Sequence, residues 1–473
     1  MRSERPYDGR SVDPFYKTAY HAGLIVYLIL TTLSVIFYRE RCILLDSAYD
    51  IFHFLRGTIL LMNITRSRIM SLVPKAVAIV LARSKAPANS VMVAYSLGFA
   101  FFHFICFVIT GSVLKKYSYA TAILLFNLIA LSETFYFIPN ELPLGMSFFT
   151  MIVASIADKK FNPGSLSQWL FLSVAGIITA FFHPLMIFVL AYTLLFFTYN
   201  RGILNDLKLL FVIGAAFLLT MIFKSTFLMA HYDMQSMSGL QNIITFFPHY
   251  FGLYSEQWLL TKCITGFFWL TLFFLAVLIF LYQKGDIRQL SGFVAIVLGY
   301  VMLICISYPD AATPTFYRED LYLPLSVFIV LPIVFLVIPE IKSGWFRNGI
   351  LLLVMATACI RILLAHQQFT DRLAFENSII RQYTGKKVVL GAKAVHSDPI
   401  QMLWGTPYET LLLSISEGLP PASIVIDDDP DWRPWVETLN KSLIVNWNVY
   451  SYTELPRNYF PFNDTTSRYC IIK

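Results

Sequence analysis

Long apolar stretches dominate the first three-quarters of the chain. They cover about residues 22–38, 91–111, 119–135, 145–157, 167–182, 184–199, 207–224, 259–283, 289–307, 321–338 and 346–366. A helix needs roughly 20 residues to cross a hydrocarbon core of ~30 Å, so the pattern predicts about 11 transmembrane helices. The run 167–199 is too long for one crossing. It divides at His183-Pro184, because proline lacks the amide hydrogen an interior turn requires. After about residue 367 the pattern changes. Short apolar bursts at 388–390 and 422–426, bounded by Gly, Pro and Asp, predict strands, with a helix over 407–417 between them. The expected architecture is an all-α polytopic membrane domain, residues 1–366, followed by a small C-terminal α/β domain, residues 367–473, outside the membrane.

Composition agrees with this pattern. Of 473 residues, 57% are hydrophobic and only 14% charged, whereas soluble chains carry about a quarter charged residues. A soluble or disordered chain is excluded. The net charge of +7 does not point to nucleic acid, because the cations are sorted. Lys115 and Lys116, Lys159 and Lys160, Arg201 and Lys208, Lys284 and Arg288, and Lys342 and Arg347 fall in every second loop. By the positive-inside rule those loops are cytoplasmic. The N-terminus is then cytoplasmic and the C-terminal domain extracytoplasmic, as in a bacterial inner (cytoplasmic) membrane. Residues 1–21 show no cleavage pattern, so the first apolar run is expected to stay. The first outside loop, 39–90, is also basic. Its segments 51–62 and 69–81 are too short and interrupted to span and are expected to lie as amphipathic helices in the interface, the alternative being a single membrane hairpin. Six cysteines without a CxxC support neither a disulfide framework nor a zinc site. Walker, HExxH, GxGxxG and GxSxG motifs are absent.

Ionisable residues at the outside ends of the spans are the candidates for chemistry, since charge inside a bilayer is costly. Asp46 and Asp50 are four apart, with Tyr49 and His53 alongside. On a helix both carboxylates share a face, as a general base with its support, as cation ligands, or as two solvated acids. Glu141 precedes Pro143 at the start of the fourth run. It is either a third acid of the same site or a charge favoured by the helix dipole. His183 in its turn can donate to an anion or satisfy the turn itself. Arg318 opens the tenth run beside Glu319 and Asp320, with Tyr322 following. It can pair with a phosphate or be neutralised by those neighbours. Lys224 and His249, on the loop 224–258, are further donors.

In their order along the chain these residues resemble the GT-C superfamily of polytopic glycosyltransferases. Asp46-Ser47-Ala48-Tyr49 matches the acidic motif such enzymes carry after the first span. Glu141-Leu142-Pro143-Leu144 is similar to the acid that opens their fourth span, with Glu for the usual Asp. Arg318 to Pro324 resembles an Arg-Tyr-Leu-x-Pro element, with Glu319-Asp320-Leu321 inserted. The resemblance implies a polyprenyl-phosphate-linked sugar donor and a lipid, glycan or protein acceptor. It implies Asp46 as base, Asp50 or Glu141 in support, and a divalent metal ion on Asp46 and Glu141 where one is used. Arg318, Lys224, His183 and His249 would meet the donor phosphate, with Tyr49, His53 and Tyr322 supporting. A polysaccharide polymerase or ligase using lipid-linked glycans, and a lipid or solute transporter or flippase, are the competing classes.

Overall fold

A computed structural model describes residues 13–58, 68–157, 165–200, 203–204, 207–228, 239–311, 313–392, 402–427, 442–445 and 448–472. The end of the expected segment 51–62 lies outside them. The helices among the described residues follow in chain order. α1 spans Pro14–Ile36, α2 Tyr38–Cys42, α3 Leu45–Arg56, α4 Leu72–Arg83, α5 Ala88–Val108 and α6 Tyr117–Ile129. α7 spans Glu141–Ile156, α8 Leu166–Ala180, α9 Met186–Tyr199, α10 Leu207–Phe227, α11 Asn242–Thr245 and α12 Tyr254–Ile264. α13 spans Phe268–Gln283, α14 Ile287–Ser307, α15 Thr315–Pro332, α16 Gly344–Leu364, α17 Gln367–Gln382 and α18 Thr406–Ser416.

Among the described residues, six helical segments are long and apolar enough to cross a membrane, and the pair α12 and α13, bent by 85°, makes a seventh if it is one span. The other four predicted crossings correspond to α6, α7, α8 and α9, apolar but shorter. The apolar side chains that these helices turn outward identify a membrane protein. Ile25, Leu219 and Ile222 are each more than 60% exposed, on a scale that water-facing monomers do not tolerate. α15 is the central helix and is buried along most of its length. It contains Pro324 and Pro332, and after the second it runs through a π-type turn, Ile333–Val337, before a last turn Ile338–Glu340. That last turn contains Pro339; a proline lacks a backbone donor and crowds the turn before it, which such a wide turn accommodates.

The start of α1, the end of α15 and the start of α16 lie at one end of the bundle. Tyr16 donates to the Val334 carbonyl there, and Arg347 pairs with Asp13 at 2.5 Å. The opposite end carries α3, α4 and the tail.

In the tail, β1 (Lys387–Gly391) pairs in parallel with β2 (Ser423–Asp427) and with β5 (Cys470–Ile472), in the order β2-β1-β5. α18 bridges β1 and β2, and β3 (Ser442–Val445) and β4 (Asn448–Ser451) form an antiparallel pair. Alternation gives each face its own partners. Val388, Leu390, Ile424 and Ile426 share a core with Leu411 and Leu412 of α18, while Val389 and Val425 meet Ile444 and Tyr469. A small α/β region is therefore present where the sequence predicted it.

Its core does not stop at residue 367. Ile51, Phe52 and Leu55 of α3, Ala78 and Ala82 of α4, and Met92 and Tyr95 of α5 belong to the same apolar cluster as Leu411 and Ile424. The expectation of two interfacial helices in the first loop changes accordingly. α4 does turn an apolar stripe outward, Val73, Val77 and Val80. α3 is instead roofed by α18, with most of its side chains buried.

Candidate active site

Four acids from three elements converge where α3, α7 and α15 begin. Asp46 and Asp50 lie one helical turn apart on α3, which places both on one face. Glu141 is the first residue of α7, where Asn140 caps the helix by accepting from the Leu142 amide at 3.1 Å. Asp320 comes from the second turn of α15 and lies beside Asn140, within electrostatic reach of Glu141 and Arg68.

Each acid has a different partner. Asp46 Oδ2 accepts a hydrogen bond from the Tyr317 hydroxyl at 2.7 Å. Its carboxyl is pushed up to about 6, first by burial and then by the negative charges of Asp50 and Glu141, with Tyr317 and Lys75 pulling the other way. Asp50 Oδ2 accepts from Lys75 Nζ at 2.6 Å and from the Tyr95 hydroxyl at 2.7 Å. Lys75, itself buried, neutralises it. Glu141 pairs with Arg68 at 3.2 Å. Asp46 combines a neutral hydrogen-bond partner with a carboxyl poised near neutrality.

The first turns of α15 sort their side chains by the 100° step between helical neighbours. Tyr317 and Asp320, three apart, face the acids. Arg318 and Tyr322, four apart, face another way. Arg318 donates to the carbonyls of Thr313 at 3.1 Å and Tyr308 at 3.2 Å, and its guanidinium lies 5.1 Å from the Tyr254 ring. Tyr322 meets Cys305 Sγ at 3.1 Å and stacks on Trp258. Glu319 takes a third direction and is fully buried. It accepts from the amides of Ser132, Glu133 and Thr134 and from the Thr134 hydroxyl, at 2.6–3.2 Å. That carboxylate anchors the turn that leads into Asn140 and Glu141.

The remaining predicted residues occupy separate positions. His183 Nδ1 accepts from the Leu185 amide at 3.1 Å, closing its own turn. Burial, with Arg68 and Lys224 nearby, holds its imidazole well below the usual range, so it is neutral. Lys224 donates to the Ala180 carbonyl at 2.6 Å. His249 is exposed in the segment after α11. The Tyr49 ring lies tilted 4.4 Å from His53 and edge-on 5.2 Å from Tyr408 of α18. The His53 ring, bonded to Thr58 at 3.0 Å, is pushed down to about 4, chiefly by burial. Among the described residues no group of three or more His, Cys, Asp or Glu side chains is placed to hold a metal ion.

The structure thus gathers Asp46, Asp50 and Glu141 and adds Arg68, Lys75, Tyr95, Tyr317 and Asp320. Arg68 and Lys75 appear in the sequence only as charges of a basic loop. Tyr317 and Asp320 flank Arg318, and a helical-wheel reading of 315–322 would have separated the faces. No protein-family model, curated protein or solved structure matches the chain.

Proposed function

We propose that the chain is a membrane glycosyltransferase that moves a sugar from a polyprenyl-phosphate-linked donor to an acceptor hydroxyl, with its site on the extracytoplasmic side of a bacterial inner membrane. In this reading the four shorter apolar helices and the bent pair complete eleven crossings. The observation that carries the proposal is Asp46. It is a carboxylate with a pKa of about 6, hydrogen-bonded to a tyrosine at the end of an apolar bundle, next to an Arg–Glu pair.

A base works best when its pKa lies near the working pH. Asp46 would take the proton of the acceptor hydroxyl as that oxygen attacks the anomeric carbon. The bond from that carbon to the phosphate oxygen breaks, and polyprenyl phosphate leaves with the electron pair. Charge developing on the leaving phosphate calls for a cation. In this reading Arg68 is that cation, because it already stands at Glu141, whereas Arg318 faces away from the acids, donating to two carbonyls beside an aromatic ring. Asp50 and Glu141 raise the Asp46 carboxyl by their charge, and Lys75, paired with Asp50, offsets part of that. Lipid, glycan and protein acceptors all present the hydroxyl the reaction needs.

The test uses the full-length protein in lipid vesicles with a panel of radiolabelled polyprenyl-phosphate sugars, following release of polyprenyl phosphate. The wild type should turn over at least one donor at pH 7. Asp46→Asn should lower that rate by roughly 100-fold or more, the usual range for losing a positioned base. Turnover of no donor, or equal rates in the two proteins, overturns the reading.

A further inference from the structure

The residue before Asp46 has an unusual backbone. Leu45 has a φ of 42°, in the left-handed region, and its side chain is fully buried. Such a conformation is unfavourable for a branched, bulky residue and persists only where the surroundings impose it. Leu45 is also the first residue of α3. Its amide is one of the helix-start donors that no turn of the helix can satisfy, and no side chain of the preceding segment caps it.

The partner comes from 364 residues further along the chain. Glu409, in the first turn of α18 and fully buried, accepts from the Leu45 amide through Oε1 at 2.6 Å. Its other oxygen, Oε2, binds Arg372 Nη2 of α17, and the same nitrogen donates to the Met402 carbonyl at 3.0 Å. Gly405 makes room for the arrangement. A Cβ there would stand 2.7 Å from Glu409 Oε1 and 2.8 Å from Leu45 Cδ2. The tail thus supplies the N-terminal cap of the helix that carries Asp46, and a buried guanidinium fixes that cap.

We propose that Glu409 is a positioning residue for Asp46. Its carboxylate, oriented by Arg372, holds Leu45 in the left-handed conformation from which α3 must start for Asp46 to meet Tyr317. The link to catalysis rests on the reading of Asp46 as base. The geometric part stands apart from it. A charge-assisted bond to a backbone amide is among the stronger hydrogen bonds, and here water does not compete. Without it the first turn of α3 loses its cap and Asp46 gains solvent.

Two variants of the full-length protein test this. Glu409→Gln keeps an oxygen that can accept from Leu45. The double variant Glu409→Ala, Arg372→Met, made in a Glu376→Gln background because the buried Glu376 lies 3.6 Å from Arg372, removes the cap without stranding a buried charge. Two measurements need no substrate. In hydrogen exchange, amides 45–49 of the double variant should exchange faster by tenfold or more, while α1 and α5 stay as in the wild type. In infrared difference spectra against Asp46→Asn, the Asp46 carboxyl should titrate lower than the wild type's value of about 6, towards the ordinary carboxylate range. Glu409→Gln should stay nearer the wild type in both. Where turnover is found, kcat of the double variant should fall by roughly 100-fold, the scale of a small misplacement, with KM within twofold and the acidic limb of the pH profile moved down. Unchanged exchange at 45–49 and an unchanged Asp46 titration overturn the proposal, whether or not any donor turns over. Absent turnover with the exchange and titration shifts present overturns the glycosyltransferase reading alone and leaves the positioning role standing.

Discussion

At the scale of single residues, Tyr317 controls how tightly Asp46 holds its proton. Its hydroxyl stabilises the carboxylate, opposing burial and two neighbouring acids. Tyr317→Phe should move the Asp46 titration above about 6, so turnover should fall more at pH 6 than at pH 8, read from the acidic limb of the rate profile. The same shift has a stability sign. An ordinary aspartate titrates near ~3.9 in an unfolded chain, so folding takes up a proton between that pH and about 6. The protonated form is the one the fold favours, and stability falls as pH rises through this window. Asp46→Asn should therefore raise the unfolding temperature above pH 6 and leave it unchanged at pH 4. Equal effects at both pH values would mean that Asp46 titrates as an ordinary acid. Asp46 could be singled out from its sequence neighbours, but its tuning could not. Tyr317 lies 271 residues away, and Lys75 reads along the chain as one cation of a basic loop.

Among the elements, the contact of α4 with α5 fixes the height of Lys75 against Asp50. Gly98 permits it. A Cβ on Gly98 would come within 1.9 Å of the Pro74 carbonyl oxygen, a backbone atom that cannot swing away. Gly98→Ala should force the helices apart and cost about 1–3 kcal/mol or more. Loss of the Lys75–Asp50 pair should follow, seen as a lower unfolding temperature together with an altered Asp46 titration. A normal titration in a destabilised variant would show that α4 does not transmit its position to the site. The apolar runs located most helices, and His183-Pro184 divided α8 from α9. The strands at 388–390 and 422–426 followed from their bounding turns. Burial of α3 did not follow, because its amphipathic pattern suits a lipid surface and a protein roof equally well. The two differ only in what lies above, and that is supplied by residues more than 350 positions away.

For the whole molecule, the boundary near residue 367 is a change of composition and not a break in the core. The tail and the first outside loop share one apolar cluster. Removing residues 387–473 should leave the long apolar helices inserted, yet expose Ile51, Phe52 and Leu55 to solvent. Limited proteolysis should then cut within 45–56 in the truncated protein and spare that segment in the intact one. Equal resistance would show that α3 holds its place without the roof.

The bond between Glu409 and Leu45 also sets a clock. Ribosomes add about 5–20 residues per second, so the 364 residues between the two partners take on the order of 20–70 s to appear. Throughout that interval the nascent chain can thread its early helices into the bilayer, but the turn that carries Asp46 has no cap. The acid cluster is therefore completed among the last events of synthesis, and a chain released early would occupy the membrane without a finished site.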